Sequence, residues 1–309
     1  MQLAIVAPHE DGAAWSAALR RELPELGVRI WPELGDPAAI DAAFVWRHPH
    51  GALAGLPNLR AIFSLGAGVD GILADPLLPR AVPLVRMLDP NLATLMAEYV
   101  LAAALRHHCD LDRYQRLQRE ARWERRTRPA LAQRRAGVMG LGALGSAAAR
   151  ALACAGFDCA GWARTPKSIA GVRSYAGEAG LEAFVARSEI LVCLLPLTPR
   201  THGILDARLF ARMPRGGYLI NAARGAHLIA SDLIAALDAG QLAGATLDVF
   251  AVEPLPSGDP LWSHPLVLVT PHAASITPVE TAARLVADNL RRLSRGEPLS
   301  GVVEAGRGY

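Results

Sequence analysis

The sequence predicts an α/β protein with two doubly wound parallel sheets, the larger domain inserted into the smaller. Three observations carry this prediction. Short apolar runs alternate with helical stretches along the whole chain, the order that parallel strands with helical crossovers require. Residues 138–145 read as the end of an apolar strand, a turn of the form G-x-G-x-x-G and the start of an Ala-rich helix. Polar and charged residues stand directly after the later apolar runs, where open parallel sheets bind their ligands.

The first third contains four strand-like runs, at 3–7, 28–31, 42–46 and 59–65, with a helix expected over 14–23. The third run ends in Trp46-Arg47-His48-Pro49-His50. Trp46 has two readings of equal weight here, packing in the small domain or lining a pocket; His48 and His50 are undecided. The fourth run enters Gly66-Ala67-Gly68-Val69-Asp70-Gly71. Glycines past the carboxyl end of a parallel strand let backbone N–H groups converge on an anion, although an ordinary strand-to-helix turn has the same appearance. A long helix is expected over 91–107, apolar on more than one face and so suited to an interdomain or subunit contact.

The glycine turn is the strongest local feature. Gly140 permits the tight turn, Gly142 allows close backbone approach, and Gly145 lets helix and strand pack together. The N–H groups at Gly142, Ala143 and Leu144, with the helix dipole, make a seat for a diphosphate. The next strand, 158–163, is followed by Ala163-Arg164-Thr165-Pro166-Lys167. An acid normally stands there in proteins that bind NAD. Arg164 can instead pair with a phosphate, Thr165 can donate its hydroxyl and Lys167 adds charge. The reading is therefore a dinucleotide domain that prefers NADP(H), with NAD(H) possible.

Further strands are expected at 190–195, 218–221, 245–249 and 267–270, with a helix over 231–239 capped by Ser231 and ended by Gly240. Thr198, Arg224, Asp248, Glu253 and His272 follow these strands or end them. Suitable groups at several separate strand ends form a stronger signal than the glycines alone. His202, His227 and His264 fall in loops with no matched partner and read as surface or structural residues.

Composition removes other classes. A hydrophobic fraction of 51% with 20% charged residues describes a folded protein, and a net charge of +3 over 309 residues is too small for a nucleic-acid binder. The Arg-rich stretch 113–135 is mixed with acids and reads as a solvated face. Cys109, Cys154, Cys159 and Cys193 form no C-x-x-C pair and no zinc spacing, so no metal site is expected. No apolar run is long enough for a membrane span, and the first residues lack the basic start of a signal peptide. A cytoplasmic protein with reduced thiols is the expectation.

These segments, taken together and in order, resemble the D-isomer-specific 2-hydroxyacid dehydrogenases. The resemblance rests on 140–145, Leu194-Leu195-Pro196-Leu197-Thr198, Asn221-Ala222-Ala223-Arg224-Gly225, the run from Leu247 to Leu255, and Thr270-Pro271-His272-Ala273-Ala274. Phe44-Val45-Trp46, 65–70, Trp162-Ala163-Arg164-Thr165 and the terminal Arg307-Gly308-Tyr309 are similar to the branch that reduces glyoxylate and hydroxypyruvate. The resemblance implies a flavodoxin-like substrate domain of residues 1–97 plus 276–309, a Rossmann-type domain of residues 98–275, a hinge between them and a homodimer.

It also implies roles. Arg224, Glu253 and His272 would be the catalytic triad. Pro196, Thr198, Ala222 and Asp248 would contact the cofactor, Asp248 at the nicotinamide carboxamide. Trp46, Arg47, Ala67, Gly68, Val69 and Arg224 would contact the substrate. The chemistry agrees: permanently cationic Arg224 can hold the carboxylate of a small 2-oxo acid and polarise its carbonyl. An imidazole titrates near neutral pH and can supply the proton, while Glu253 would orient His272 and favour its imidazolium form. The rivals are a dehydrogenase of another 2-hydroxy acid, and a dinucleotide-sensing protein without turnover. The role of Tyr309 is left open between a pocket rim and an interface.

The Arg164 reading has a direct test. Arg164→Asp is expected to reduce the preference for NADPH over NADH in steady-state assays with both cofactors. An unchanged ratio removes Arg164 from its role.

Overall fold

The computed structural model describes residues 1–304; the terminal Arg307-Gly308-Tyr309 lies outside them. The chain divides into two compact units, Met1–Leu92 with the chain from Thr277 onward, and Ala93–Ile276. Each contains one of the doubly wound sheets, and every strand pairing within both sheets is parallel.

The smaller unit has five strands, β1 (Gln2–Val6), β2 (Gly27–Ile30), β3 (Ala42–Val45), β4 (Ala61–Ser64) and β5 (Leu84–Val85), in the order β2-β1-β3-β4-β5, which is flavodoxin-like. Alternating residues serve opposite faces. Leu3, Ile5, Phe44 and Phe63 pack with Trp15 and Leu19 of helix Gly12–Glu22 and with Val286 and Leu290 of helix Val279–Arg295. Ala4, Val6, Val45 and Ile62 face Leu53, Val69 and Ile72 on the other side. Burial on both faces explains why these strands read as continuous apolar runs.

The larger unit has seven strands: β6 (Arg135–Met139), β7 (Asp158–Ala163), β8 (Val172–Ala176), β9 (Ile190–Cys193), β10 (Gly217–Asn221), β11 (Leu242–Leu247) and β12 (Val267–Val269). Their order is β12-β11-β10-β9-β6-β7-β8, the Rossmann arrangement with one added parallel strand and its switch point between β6 and β9. Helices Gly177–Arg187, Ala207–Arg212 and Ala230–Asp238 cover one face through Phe184, Phe210 and Leu233. Helices Pro90–His108 and Ala143–Ala155 cover the other through Val100, Ala104, Ala148 and Leu152.

Three expectations are corrected. Strands β5 and β8 go unread in the sequence. β5 has only two residues, and β8 is a half-exposed edge strand without an apolar run. Ser231 is not a cap: the helix begins at Ala230, its N-cap Ile229 offers no side-chain bond, and Ser231 lies inside the first turn. The neighbouring Asp232 instead accepts the Ala207 N–H at 2.9 Å, so it fastens its helix to the start of the preceding helix, Ala207–Arg212.

The glycine turn needs its glycines for different reasons. Gly140 has φ +94, and a Cβ there would stand 2.6 Å from Leu194 O. A Cβ on Gly145 would stand 1.7 Å from Gly140 O, whereas one on Gly142 would meet nothing within 4 Å. Gly145→Ala is expected to destabilise the protein by about 1–3 kcal/mol or more, read as a lower urea midpoint, with Gly142→Ala nearly neutral in the same assay. Equal midpoints would contradict the packing described.

Candidate active site

Strand register gathers the predicted residues at one edge of the larger sheet. Met139 pairs with Cys193, Cys193 with Asn221, Asn221 with Leu247, and Leu247 with Val269. These five residues form one row, and the segments leaving it are the glycine turn, 194–198, 222–224, Asp248 and 270–272. Trp162 pairs with Met139 in the same row, so Arg164, Thr165 and Lys167 follow at that edge, all exposed.

Asp248 anchors this edge. It is 1% exposed. Its Oδ1 accepts the Thr270 hydroxyl at 2.6 Å and the Ala273 N–H at 2.8 Å, and its Oδ2 accepts the Ala274 N–H at 2.9 Å. Its carbonyl accepts the His272 N–H at 2.8 Å. Tyr99 Oη lies 2.6 Å from Thr270 Oγ1. Burial pushes the Tyr99 phenol up to about 12, against the Thr270 hydrogen bond and with the Asp248 charge. Tyr99 therefore keeps its proton at neutral pH and donates to Thr270, which donates to Asp248. The result is a tight turn in which His272 adopts φ +54, an uncommon conformation for a residue with a side chain.

That conformation aims the ring at Glu253. His272 Nδ1 is 2.8 Å from Glu253 Oε2, and Glu253 Oε1 accepts the Phe250 N–H at 2.8 Å. The carboxylate is thus fixed from behind and holds a proton on Nδ1, so Nε2 is the ring nitrogen that Glu253 does not engage. His272 is 30% exposed and Glu253 16%, so the pair is reachable yet shielded from bulk screening.

Arg224 follows β10 in a turn built by Asn221, whose Nδ2 donates to Arg224 O and whose Oδ1 accepts the Ala223 N–H. The guanidinium donates to Ala223 O at 2.7 Å and remains partly exposed. Ala222 is buried, and Pro196 and Thr198 are partly buried on the loop after β9. The first turn of helix Ala143–Ala155 carries no side-chain cap, and Gly142 and Ala143 are exposed above it. Open N–H groups beside a glycine with no atom in its way fit a dinucleotide diphosphate.

The smaller unit holds the other predicted residues. A Cβ on Gly66 would stand 2.7 Å from the Trp46 ring, so Trp46 lies against the loop of Ala67, Gly68 and Val69. Arg47 is exposed with φ +46. His48 resolves as a structural residue: buried, with Nε2 3.1 Å from the buried Asp75, which also accepts the Gly51 and Leu77 N–H groups. Two of the histidines read as surface or structural have partners that the sequence does not show. His227 is fully buried with both ring nitrogens near carbonyls, and His264 Nε2 is 3.4 Å from Asp238. Asn221, Tyr99, Thr201 and Thr270 are supporting residues that the sequence does not single out; Asn221 and Thr270 stand inside the motifs quoted above.

The sequence and the fold are similar to those of known proteins. The family model of the D-isomer specific 2-hydroxyacid dehydrogenase NAD binding domain matches residues 101–274. A glyoxylate/hydroxypyruvate reductase A of Serratia proteamaculans is 43% identical, with both chains covered completely. The crystal structure of a D-isomer specific 2-hydroxyacid dehydrogenase from Xanthobacter autotrophicus, in complex with NADPH and MES, is 47% identical with a TM-score of 0.95 and covers 100% of this chain and 99% of its own. An NADPH-dependent glyoxylate/hydroxypyruvate reductase from Sinorhizobium meliloti, in complex with NADP and sulfate, gives 39% identity and a TM-score of 0.92 over 100% and 99%.

The hydrogen-bonded chain behind His272 makes its own prediction. Thr270→Val leaves the Tyr99 hydroxyl and a buried carboxylate oxygen short of a partner and is expected to cost about 1–3 kcal/mol. In urea unfolding, Tyr99→Phe added to Thr270→Val should cost little more, because the two act as one unit. Additive losses would mean that they do not.

Proposed function

The chain belongs to the D-isomer-specific 2-hydroxyacid dehydrogenase family, and from that premise we propose that it reduces small 2-oxo acids, glyoxylate and hydroxypyruvate foremost, to 2-hydroxy acids with NADPH. The observation that carries the reading is the His272–Glu253 pair on the same sheet edge as Arg224 and the glycine turn. The relatives described as glyoxylate/hydroxypyruvate reductases support the substrate class.

When bound, the reduced nicotinamide supplies hydride to the carbonyl carbon. Arg224 binds the substrate carboxylate and carbonyl oxygen, drawing negative charge onto that oxygen. His272 donates its Nε2 proton to the same oxygen, and Glu253 stabilises the imidazolium that this role requires. The amides of Ala67, Gly68 and Val69 take the carboxylate, with Trp46 and Arg47 as further substrate contacts. Gly140, Gly142, Ala143, Leu144 and Gly145 seat the diphosphate, and Arg164, Thr165 and Lys167 take the 2′-phosphate. Pro196, Thr198 and Ala222 flank the nicotinamide half. Asp248 has one acceptor direction left on Oδ2 among the described residues, enough for a carboxamide N–H.

The same reading makes the protein a cytoplasmic homodimer. Four free cysteines suit a reducing compartment, and no helix of the described residues is long and apolar enough to cross a membrane. Trp123 is 95% exposed, and a second copy covering this stretch would bury its ring.

A substrate panel run with NADPH and NADH tests the proposal. Glyoxylate and hydroxypyruvate should be turned over, faster with NADPH. Glu253→Gln should lower kcat by about 10²–10⁴-fold with NADPH affinity retained. NADPH binding without turnover on any 2-oxo acid would favour the sensing protein instead.

A further inference from the structure

The turn that presents Arg224 is tied to a second strand-end loop by a histidine outside the reacting groups. His227 closes the short helical turn Gly225–His227 and is 0% exposed. Its ring lies between two main-chain carbonyls, with Nδ1 3.1 Å from Arg224 O and Nε2 3.3 Å from Pro196 O. A carbonyl only accepts and a neutral imidazole carries a single N–H; with the proton on Nε2 the ring donates to Pro196 O, while the His227 main-chain N–H donates to Arg224 O.

Both carbonyls have further donors. Arg224 O also accepts Asn221 Nδ2. Pro196 O accepts the Thr201 hydroxyl at 2.7 Å, and Thr201 Oγ1 in turn accepts the Thr198 N–H at 2.9 Å. His227 therefore completes a bonded path from Thr198 and Pro196 to Arg224. The path has a firm base. β9 and β10 are adjacent and in register, and the Gly203 and Leu205 N–H groups donate to Ala226 O and His227 O. Gly225 cannot yield, because a Cβ there would stand 1.8 Å from Phe250 C.

We propose that His227 is a positioning residue that couples the two ligands of this enzyme: a cofactor held at Pro196 and Thr198 sets Arg224 for the 2-oxo acid, and the acid at Arg224 tightens the cofactor loop in return. Such coupling is reciprocal by linkage. The inference rests on the reading of Arg224 as the substrate anchor. It differs from a packing role, which would affect folding without linking the two ligands.

The test uses binding rather than turnover. Oxalate serves as an unreactive mimic of a 2-oxo acid, and its Kd is measured by calorimetry on the full chain with and without saturating NADP⁺. In the unmodified protein NADP⁺ should tighten oxalate about tenfold. His227→Phe, which keeps a ring but no donor, should reduce this to less than about twofold, and His227→Gln, with one amide donor group, should restore part of it. Thr201→Val, which cuts the same path at Pro196 O, should also lower the coupling, and it carries the test together with His227→Gln if His227→Phe does not fold. Coupling that survives in the folded variants overturns the inference, as does an unmodified protein that binds both ligands without coupling. The functional reading fails differently: the unmodified protein would then neither bind oxalate in the presence of NADP⁺ nor turn over any 2-oxo acid.

Discussion

One buried carboxylate organises the edge of the larger unit at which the candidate site residues gather. Asp248 accepts three donors from the segment Thr270–Ala274, and its own carbonyl accepts the His272 amide. A buried carboxylate is costly unless its oxygens are satisfied, so the chain must fold this segment tightly back on β11. His272 then adopts φ +54, and its ring meets Glu253. The orientation of the proposed acid follows from satisfying a different residue. Tyr99, a phenol that keeps its proton at neutral pH, fixes the direction of the chain of donors from behind.

The rest of the site depends on the parallel sheet. In-register parallel strands bring their carboxyl ends to one edge, so residues far apart in sequence leave from one row. The glycine turn adds the close contacts: only glycine fits at 145, against Gly140 O, and at 225, against Phe250. Two of the tightest backbone contacts thus lie in the glycine turn and beside Arg224, and side-chain bonds from Asn221, Thr201 and His227 join the Arg224 turn to the 196–201 loop.

Much of this was legible in the sequence. Runs such as 42–46 and 190–195 read as strands because both faces of their sheets are buried, and the groups after them sit at strand ends because doubly wound sheets put ligands there. Arg164 stood out through an absent acid. What stayed hidden depends on distance along the chain or on weak local pattern. The partner of His48 is Asp75, separated by 27 positions, and that of Tyr99 is Thr270, separated by 171; no spacing rule joins them. Strand β8 alternates too weakly to read, and Ser231 has the composition of a cap but lies one position inside its helix. His227 looked like a loop residue because only the fold closes β9 and β10 around it.

The central claim is hydride delivery from NADPH to one face of the carbonyl carbon of a small 2-oxo acid. It is tested most directly by following the label from NADPH deuterated at the transferable position of C4 into hydroxypyruvate, with the product examined by mass spectrometry, NMR and chiral chromatography. The account predicts D-glycerate carrying one deuterium at C2. Product of the opposite hand, product without deuterium at C2, or no product at all would contradict it.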